Sequence, residues 1–276
     1  MMCFDREYVI LGILYFVRSY SSRQTSNGVL NKVNENQSVN PKDFWEDKIL
    51  SWERDRYCAP NAAPNILERL ASRASDSLRF RLWATGELLA PQVKGKRILE
   101  LGCGSGFLAP RLLAVGAEGY IGIDISESAI VNARALAAKD GVEDKLRFEV
   151  DSVSNLGEYE CDIVFSLGLL DWLADDELDR MFAATAGAEY LHAIAEKRAS
   201  VSQWIHRVYV QLSYGHRTGS YRPRYFSVAE IEAMARRYTD KPVRAYRDPR
   251  LSFGAFITTL DFNPDVLVNE PTYPLR

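Results

Sequence analysis

The sequence is poor in the residues that most often bind metal ions or form disulfides. It has four cysteines and three histidines in 276 residues. No CxxC pair and no neighbouring histidine cluster accompany the cysteines, which are Cys3, Cys58, Cys103 and Cys161. This scatter argues against a zinc site and a disulfide framework, and it favours a reducing compartment. We therefore expect a cytoplasmic protein without a bound metal.

Long hydrophobic runs are also lacking. The one targeting-like segment, residues 8–17, is apolar but has only ten residues, whereas a membrane span needs about 20. It is interpreted as a docking segment or leader, and membrane association through it is the less favoured alternative. Residues 19–40 are polar, rich in Ser and Asn, and typical of a linker. The compact protein is expected to begin near Asn40, a good helix N-cap before Pro41.

The net charge of −3 argues neither for nor against a polyanionic partner. The charge is uneven, however, since residues 197–250 hold twelve basic and four acidic side chains. This surplus favours an anionic acceptor, while a solvated surface balanced by acids elsewhere is an equal alternative. No appended nucleic-acid-binding module or dense basic tail is visible, so nucleic acid is not expected as a partner.

From Arg97 onward, short apolar runs alternate with helical stretches, which indicates a parallel sheet covered on both faces. The strand candidates are residues 97–101, 120–124, 146–150, 161–166 and 189–196. Two further segments, 241–248 and 251–262, are joined around Pro249 too briefly for a crossover helix, so they must be antiparallel. The sequence predicts an α/β fold with a doubly wound, mostly parallel seven-stranded sheet that ends in an antiparallel hairpin.

Helical patterns precede the first strand and predict an N-terminal cap of three helices. They cover residues 41–57, a segment opened by Pro64, and residues 75–91. The expected organisation is a poorly ordered leader and linker (1–39), the helical cap (40–95), the sheet domain (96–262) with a substrate-side insertion (197–226), and a tail (263–276).

A glycine-rich turn follows the first strand in the sequence LELGCGSG. Gly102, Gly104 and Gly106 permit unusual backbone angles and let main-chain N–H groups approach a ligand. A dinucleotide fingerprint would place its third glycine at position 107, where the chain has Phe107. Phe107 therefore argues against a turn that binds the pyrophosphate of a dinucleotide cofactor.

On this motif the sequence resembles the class I S-adenosylmethionine-dependent methyltransferases, over roughly residues 40–262. The resemblance implies that S-adenosylmethionine is the cofactor and that Glu100 steadies the turn or meets the cofactor's ammonium group. It also implies that Asp124 accepts the ribose hydroxyls, with helix capping as the alternative role. Asp151 and Ser152 lie where the family binds adenine, although Asp151 also fits a simple turn. The implied cofactor contacts are Glu100, Gly102, Cys103, Gly104, Gly106, Asp124, Ile125, Asp151, Ser152, Ser166 and Leu167.

The acceptor side lacks the Asn/Asp-Pro-Pro-aromatic run that many N-methyltransferases carry after the fourth strand. The chain has SLGLLDW there, which favours oxygen as the acceptor atom, with carbon as the less favoured alternative. The expected acceptor is a small molecule. His216, in the insertion, is the preferred base because a loop histidine titrates near neutral pH. Asp171 and Tyr214 are its rivals. The predicted substrate contacts are Asp171, Tyr214, Tyr221, Arg222 and Arg224.

Two alternatives remain open at this stage. One is a nicotinamide-dependent oxidoreductase built on the same kind of sheet, against which Phe107 and the terminal hairpin argue. The other is a subunit that binds S-adenosylmethionine without catalysis. The sequence leaves the acceptor's identity and the oligomeric state open.

Overall fold

A computed structural model describes residues 39–58, 66–198, 203, 223–251 and 254–267. Its strands within these ranges are β1 (Arg97–Leu101), β2 (Gly119–Asp124), β3 (Leu146–Val150), β4 (Ile163–Leu167), β5 (Glu189–Ala195), β6 (Arg244–Tyr246) and β7 (Gly254–Thr258). They form one sheet of order β3-β2-β1-β4-β5-β7-β6. The first five strands are parallel, and β7 lies antiparallel between β5 and β6. The predicted fold class is confirmed.

Helices flank this sheet and precede it. Their bounds are α1 (Pro41–Glu53), α2 (Ile66–Leu89), α3 (Ala109–Ala114), α4 (Glu127–Asp140), α5 (Asp175–Ala184) and α6 (Val228–Ala235). The predicted start of α1 is confirmed, because the Asn40 side chain accepts a hydrogen bond from the Lys42 N–H and Pro41 follows in the first turn. No helix in the described ranges is long and apolar enough to cross a bilayer.

The prediction of two separate helices just before β1 is wrong. The chain forms one helix of 24 residues, α2, where the sequence suggested a break between Pro64 and Ser75. Residues 66–85 contain neither proline nor glycine, so nothing in the backbone interrupts the helix. The serines and aspartate at 75–77 resemble an N-cap, but here they lie inside the helix. Helix α1 is followed directly by a π-helical turn over Arg54–Cys58.

The core lies on both faces of the sheet because successive side chains of each buried strand point to opposite sides. Ile98 of β1 belongs to the cluster that contains Leu88 of α2. Its neighbour Leu99 belongs to the cluster that contains Leu178 of α5. The sheet is thus held rigidly between helices, and the turns at the carboxyl ends of β1, β2 and β4 are fixed relative to one another.

The predicted leader and part of the predicted tail lie outside the described residues. The domain boundaries therefore remain predictions.

Candidate functional site

The glycine turn after β1, residues 102–106, contains three glycines, and each is required for a different reason. Their φ angles are 68°, 52° and 66° for Gly102, Gly104 and Gly106, values that side chains rarely allow. A Cβ on Gly106 would lie 2.6 Å from the Phe148 ring, and one on Gly102 would lie 3.3 Å from Leu169. These two glycines are needed for packing of the turn. Gly104 faces α1 instead, where a Cβ would meet the carboxylate of Glu53.

Asp124, at the end of β2, is the side chain that fixes this turn. Its Oδ2 accepts a hydrogen bond from the Gly104 N–H at 2.8 Å, and its Oδ1 accepts one from the Ser126 N–H at 2.9 Å. Burial raises the pKa of Asp124, and the N–H groups of Ser126, Gly104 and Ile125 act against this rise. The capping role left open by the sequence is present. It does not exclude a ribose contact, because each carboxylate oxygen has a second lone pair.

Glu100 is buried behind the turn and is bound by the Tyr120 hydroxyl. Burial raises its pKa to about 8; the Tyr120 hydrogen bond opposes the rise, and the carboxylates of Asp124 and Glu53 add to it. This environment favours the protonated form of Glu100. The Cys103 thiol lies beside it, and burial raises its pKa well above the ordinary value. This position gives Cys103 no nucleophilic character.

Helix α1 contributes two carboxylates, which accept hydrogen bonds from N–H and hydroxyl groups around the turn. Glu53 Oε1 accepts a hydrogen bond from the Ser105 N–H at 2.9 Å, and its Oε2 binds the Ser105 hydroxyl. Glu46 Oε1 accepts one from the Ser128 N–H at 3.0 Å, and its Oε2 accepts one from the Ser126 hydroxyl at 2.8 Å. Neither residue was predicted from the sequence. Their seven-residue spacing, which places them on one face of a helix, was the available signal.

Burial opposes the ionisation of Glu46, but its hydrogen bonds with Ser126 and Ser128 outweigh this effect and lower its pKa. Glu53 has only 5% of its surface exposed. In the described structure, α1 therefore covers the carboxyl edge of the sheet with negative groups that face main-chain donors.

The residues that end β3 lie beside Asp124. The Asp151 N–H donates to the Asp124 carbonyl at 3.0 Å, and Asp151 Oδ1 accepts from the Ser152 N–H at 2.8 Å. The Ser152 hydroxyl accepts from the Ser154 N–H at 3.2 Å. The structure therefore brings the predicted adenine-side and ribose-side residues together at one edge of the sheet.

Ser166, near the end of β4, is paired with His192 of the neighbouring strand β5. Its hydroxyl lies 2.9 Å from His192 Nδ1, and both side chains are fully buried. Burial lowers the pKa of His192 to about 3, so this imidazole stays neutral and packs between protein groups. Leu167 packs on the opposite face, against the cluster that contains residues of α2. This environment gives His192 a structural role.

Asp171 and Arg224, two of the predicted substrate contacts, meet beyond β4. Both carboxylate oxygens of Asp171 accept from the Ala195 N–H, at 2.9 and 3.1 Å, and the Arg224 N–H donates to the Asp171 carbonyl at 2.6 Å. Burial raises the pKa of Asp171 to about 7. The Arg224 guanidinium donates to the Leu173 carbonyl at 2.8 Å and to Asp175 at 2.6 Å. Both side chains are thus engaged in contacts within the fold.

The other predicted acceptor-side residues lie outside the described residues: His216, Tyr214, Tyr221 and Arg222. Among the residues that are described, no group of three His, Cys, Asp or Glu side chains could hold a metal ion.

An aromatic cluster joins α1 to the segment after β4. The rings of Trp45 and Trp172 are edge to face at 5.1 Å between centroids, and those of Phe44 and Trp172 lie 5.9 Å apart. Trp172 directly follows Asp171 in the chain. The same helix that covers the glycine turn therefore also contacts the acceptor side.

Comparison with known proteins agrees with this geometry. Residues 98–188 match a family described as a methyltransferase domain. The ribosomal protein L11 methyltransferase of Photobacterium profundum is 48% identical over 64 residues, which are 23% of this chain and 20% of that protein. The chain thus matches about a fifth of the length of this curated relative.

Two solved structures have similar folds over most of their length. Magnesium protoporphyrin IX methyltransferase from Synechocystis PCC 6803, with bound SAH, has a TM-score of 0.55 at 17% identity and covers 79% of this chain and 96% of its own. A possible exported protein from Bordetella parapertussis has a TM-score of 0.57 at 13% identity and covers 90% of this chain and 95% of its own. At these identities the likeness shows the fold alone.

The family match runs from β1 to the residue before β5, and so includes both the glycine turn and Asp124. Together with the strand order, it supports the resemblance of this chain to the class I, Rossmann-like S-adenosylmethionine-dependent methyltransferases.

Proposed function

We propose that this chain binds S-adenosylmethionine at the glycine turn and transfers its methyl group to an oxygen of a small-molecule acceptor. The observation that carries the proposal is the pairing of Asp124 with Gly104. It places a buried carboxylate beside a glycine of the turn at the carboxyl edge of the sheet, on the side that α1 covers. Ligands of open α/β sheets bind at this edge.

The residues present fit this cofactor. Asp124 would hold the ribose hydroxyls, and the glycine turn would hold the amino-acid portion through its N–H groups. The buried Asp124 carboxylate lies beside the turn, and negative charge there suits a sulfonium and an ammonium. S-adenosylmethionine, when bound, supplies a methyl group that its sulfonium already activates. The chain's own part is to align the reactants and exclude water, which α1 and its aromatic cluster support.

The absence of a Pro-Pro-aromatic run in SLGLLDW supports oxygen as the acceptor atom. Among the described residues, the two groups nearest the end of β4 with strongly shifted pKa values, Asp171 and His192, are both buried. A carboxylate acceptor would need no base, since it is already ionised. A hydroxyl acceptor would depend on a base such as His216, in the insertion.

Incubation of the protein with methyl-labelled S-adenosylmethionine and a cell extract, split into small-molecule and protein fractions, tests the proposal. We expect label in the small-molecule fraction, its product identified by mass spectrometry, and no transfer by the Asp124→Ala variant. Label in the protein fraction would replace the small molecule by a protein acceptor, the kind of substrate named for the curated relative. Tight NAD binding without S-adenosylhomocysteine binding would overturn the proposal in favour of an oxidoreductase.

A further inference from the structure

Strand β3 lies at one edge of the sheet, and β6 lies at the other. The β6 edge is protected against pairing, since the strand has only three residues and Pro242 lies two residues before it. In contrast, β3 has five residues, and no proline occurs between residues 141 and 162. Among the strands that the structure describes, only β2 pairs with β3, so the outer side of β3 has no neighbouring strand there.

The main-chain groups of β3 alternate between β2 and this outer side. The Asp151 N–H, directly after the strand, donates to the Asp124 carbonyl of β2 at 3.0 Å. Residues two apart in a strand direct their main-chain groups to the same side, so the odd-numbered residues of β3 face β2. The N–H and carbonyl groups that face outward belong to the even-numbered residues, Leu146, Phe148 and Val150.

One side chain reaches these outward groups. The Arg134 guanidinium of α4 donates to the Phe148 carbonyl, in agreement with a carbonyl that faces away from β2. A carbonyl oxygen has two lone pairs, so the second remains for another donor. The Val150 side chain at the end of the strand is 40% exposed. The edge thus offers both main-chain groups and apolar surface, which are the features of a strand that pairs with another chain.

The side chains on one face of this edge carry charges in a directional order. Lys145 and Arg147 come first, and Glu149 and Asp151 follow at the same two-residue spacing. Arg147 and Glu149 form an ion pair within the strand, and their side chains are 63% and 26% exposed. In an antiparallel pair of two copies centred on Phe148, each basic residue lies opposite an acidic residue of the second copy. An in-register parallel pair would instead place like charges together, which is destabilising.

We propose that two copies of this chain pair antiparallel through β3, with the two-fold axis at Phe148, and form one continuous sheet. Arg147 then lies opposite Glu149 of the second copy, at a position without main-chain hydrogen bonds, where facing side chains are closest. Leu146 lies opposite Val150 of the second copy and exchanges main-chain hydrogen bonds with it. Such a contact is isologous and closes as a dimer.

The sheet face beside Arg147 has room for side chains of the second copy. Between β3 and β4 the described chain forms one short 3₁₀ turn, Val153–Asn155, in place of a covering α-helix. A cavity of about 600 Å³ lies on this side, and Ile121, Arg147 and Tyr159 are among the residues that line it. A ladder of five residues is small for a protein interface, so we expect a weak dimer with a micromolar Kd.

Charge reversal followed by mixing tests this arrangement, with sedimentation velocity from about 1 to about 200 µM as the measurement. We expect the wild type to change from monomer to dimer over this range. Arg147→Glu and Glu149→Arg should each weaken dimerisation by at least about tenfold, since each places like charges opposite each other twice. An equimolar mixture of the two variants should dimerise again, because the acidic strand of one then faces the basic strand of the other.

The mixture distinguishes pairing between copies from an effect within one strand, because neither variant regains its own ion pair on mixing. Arg244→Glu, which reverses an exposed arginine on β6, is the matched control and should dimerise as the wild type does. A wild type that stays monomeric throughout would overturn the proposal. So would a mixture that stays monomeric, or a loss in Arg244→Glu equal to that in Arg147→Glu.

Hydrogen exchange of the wild type is a second measurement, which decides the matter if thermal unfolding shows that a variant does not fold. The outward amides of β3 should exchange more slowly at about 200 µM than at about 1 µM, because pairing removes them from water. The amides of β6 should exchange equally at both concentrations. Equal exchange of the β3 amides would show that this edge stays unpaired and would overturn the proposal.

Discussion

The carboxylate of Glu53 binds the Ser105 N–H inside the glycine turn, with 2.9 Å between oxygen and nitrogen. Glu53 comes from α1, 52 residues earlier in the chain, and its other oxygen binds the Ser105 hydroxyl. It therefore occupies donors of the kind that a ligand's carboxylate would use. We therefore expect a nucleoside that binds against Gly104 to displace this side chain and α1 to move with it.

Replacing Glu53 with Ala should strengthen S-adenosylhomocysteine binding. The variant frees the Ser105 N–H, and the ligand no longer competes with a charge-assisted hydrogen bond. We expect a gain in affinity of about tenfold by isothermal titration calorimetry. Glu118→Gln, an exposed acid at the opposite end of β2, is the control and should leave the affinity unchanged. Weaker binding by Glu53→Ala would show instead that Glu53 contacts the ligand directly.

Trp45 should report the displacement of α1. Its ring packs on Trp172 at 5.1 Å, so movement of the helix changes its surroundings. Titration with S-adenosylhomocysteine should change the intrinsic tryptophan fluorescence, and the Trp45→Phe variant should lose most of that change. Trp83→Phe, which alters a buried tryptophan of α2, should retain it. A ligand that binds calorimetrically without any change in fluorescence would show that α1 stays in place.

The Asp124→Asn variant should weaken S-adenosylhomocysteine binding by at least about fivefold, the factor that about 1 kcal/mol represents. The amide keeps one acceptor but loses the charge that holds the Gly104 N–H and would bind the ribose. Asp144→Asn, an exposed aspartate before β3, is the control. Unchanged affinity in Asp124→Asn would make the ribose assignment wrong.

The Glu100→Gln variant should make stability less dependent on pH. Burial raises the pKa of Glu100 to about 8 from 4.5, so between these values the folded chain holds a proton that the unfolded chain has lost. Stability therefore falls as the pH rises through this window. Tm values measured from about pH 5 to about pH 9 should fall less in Glu100→Gln than in the wild type or Glu118→Gln. The contribution of Asp171, which has the same sign, is common to all three proteins. Parallel Tm curves would show that Glu100 is ionised in the folded chain.

The strands of the sheet could be predicted because each is encoded by a short local pattern of residues. β1 begins and ends as predicted, at Arg97 and Leu101, since an apolar run bounded by a basic residue and a glycine is unambiguous. The turn and Asp124 follow from the spacing of the strand ends, because parallel strands bring these ends to one edge. The merged helix α2 was missed because its serines and aspartate mimic an N-cap.

The contacts of Glu46 and Glu53 could not be found in the same way. They join α1 to turns that lie tens of residues later in the chain. The seven-residue spacing of the two glutamates indicates that they share a helix face, but it does not indicate which groups that face contacts. Phe44 of α1 is buried, and an apolar pattern can indicate such an inward residue. It does not reveal that two glutamates beside that face bind main-chain donors.

The most direct test of the central claim is a crystal structure of the chain grown with S-adenosylhomocysteine. Our account predicts density for the nucleoside against Gly104, ribose hydroxyls on the Asp124 carboxylate, and Glu53 withdrawn from Ser105. A nucleoside bound elsewhere, or an empty turn with Glu53 still on Ser105 at saturating ligand, would contradict it.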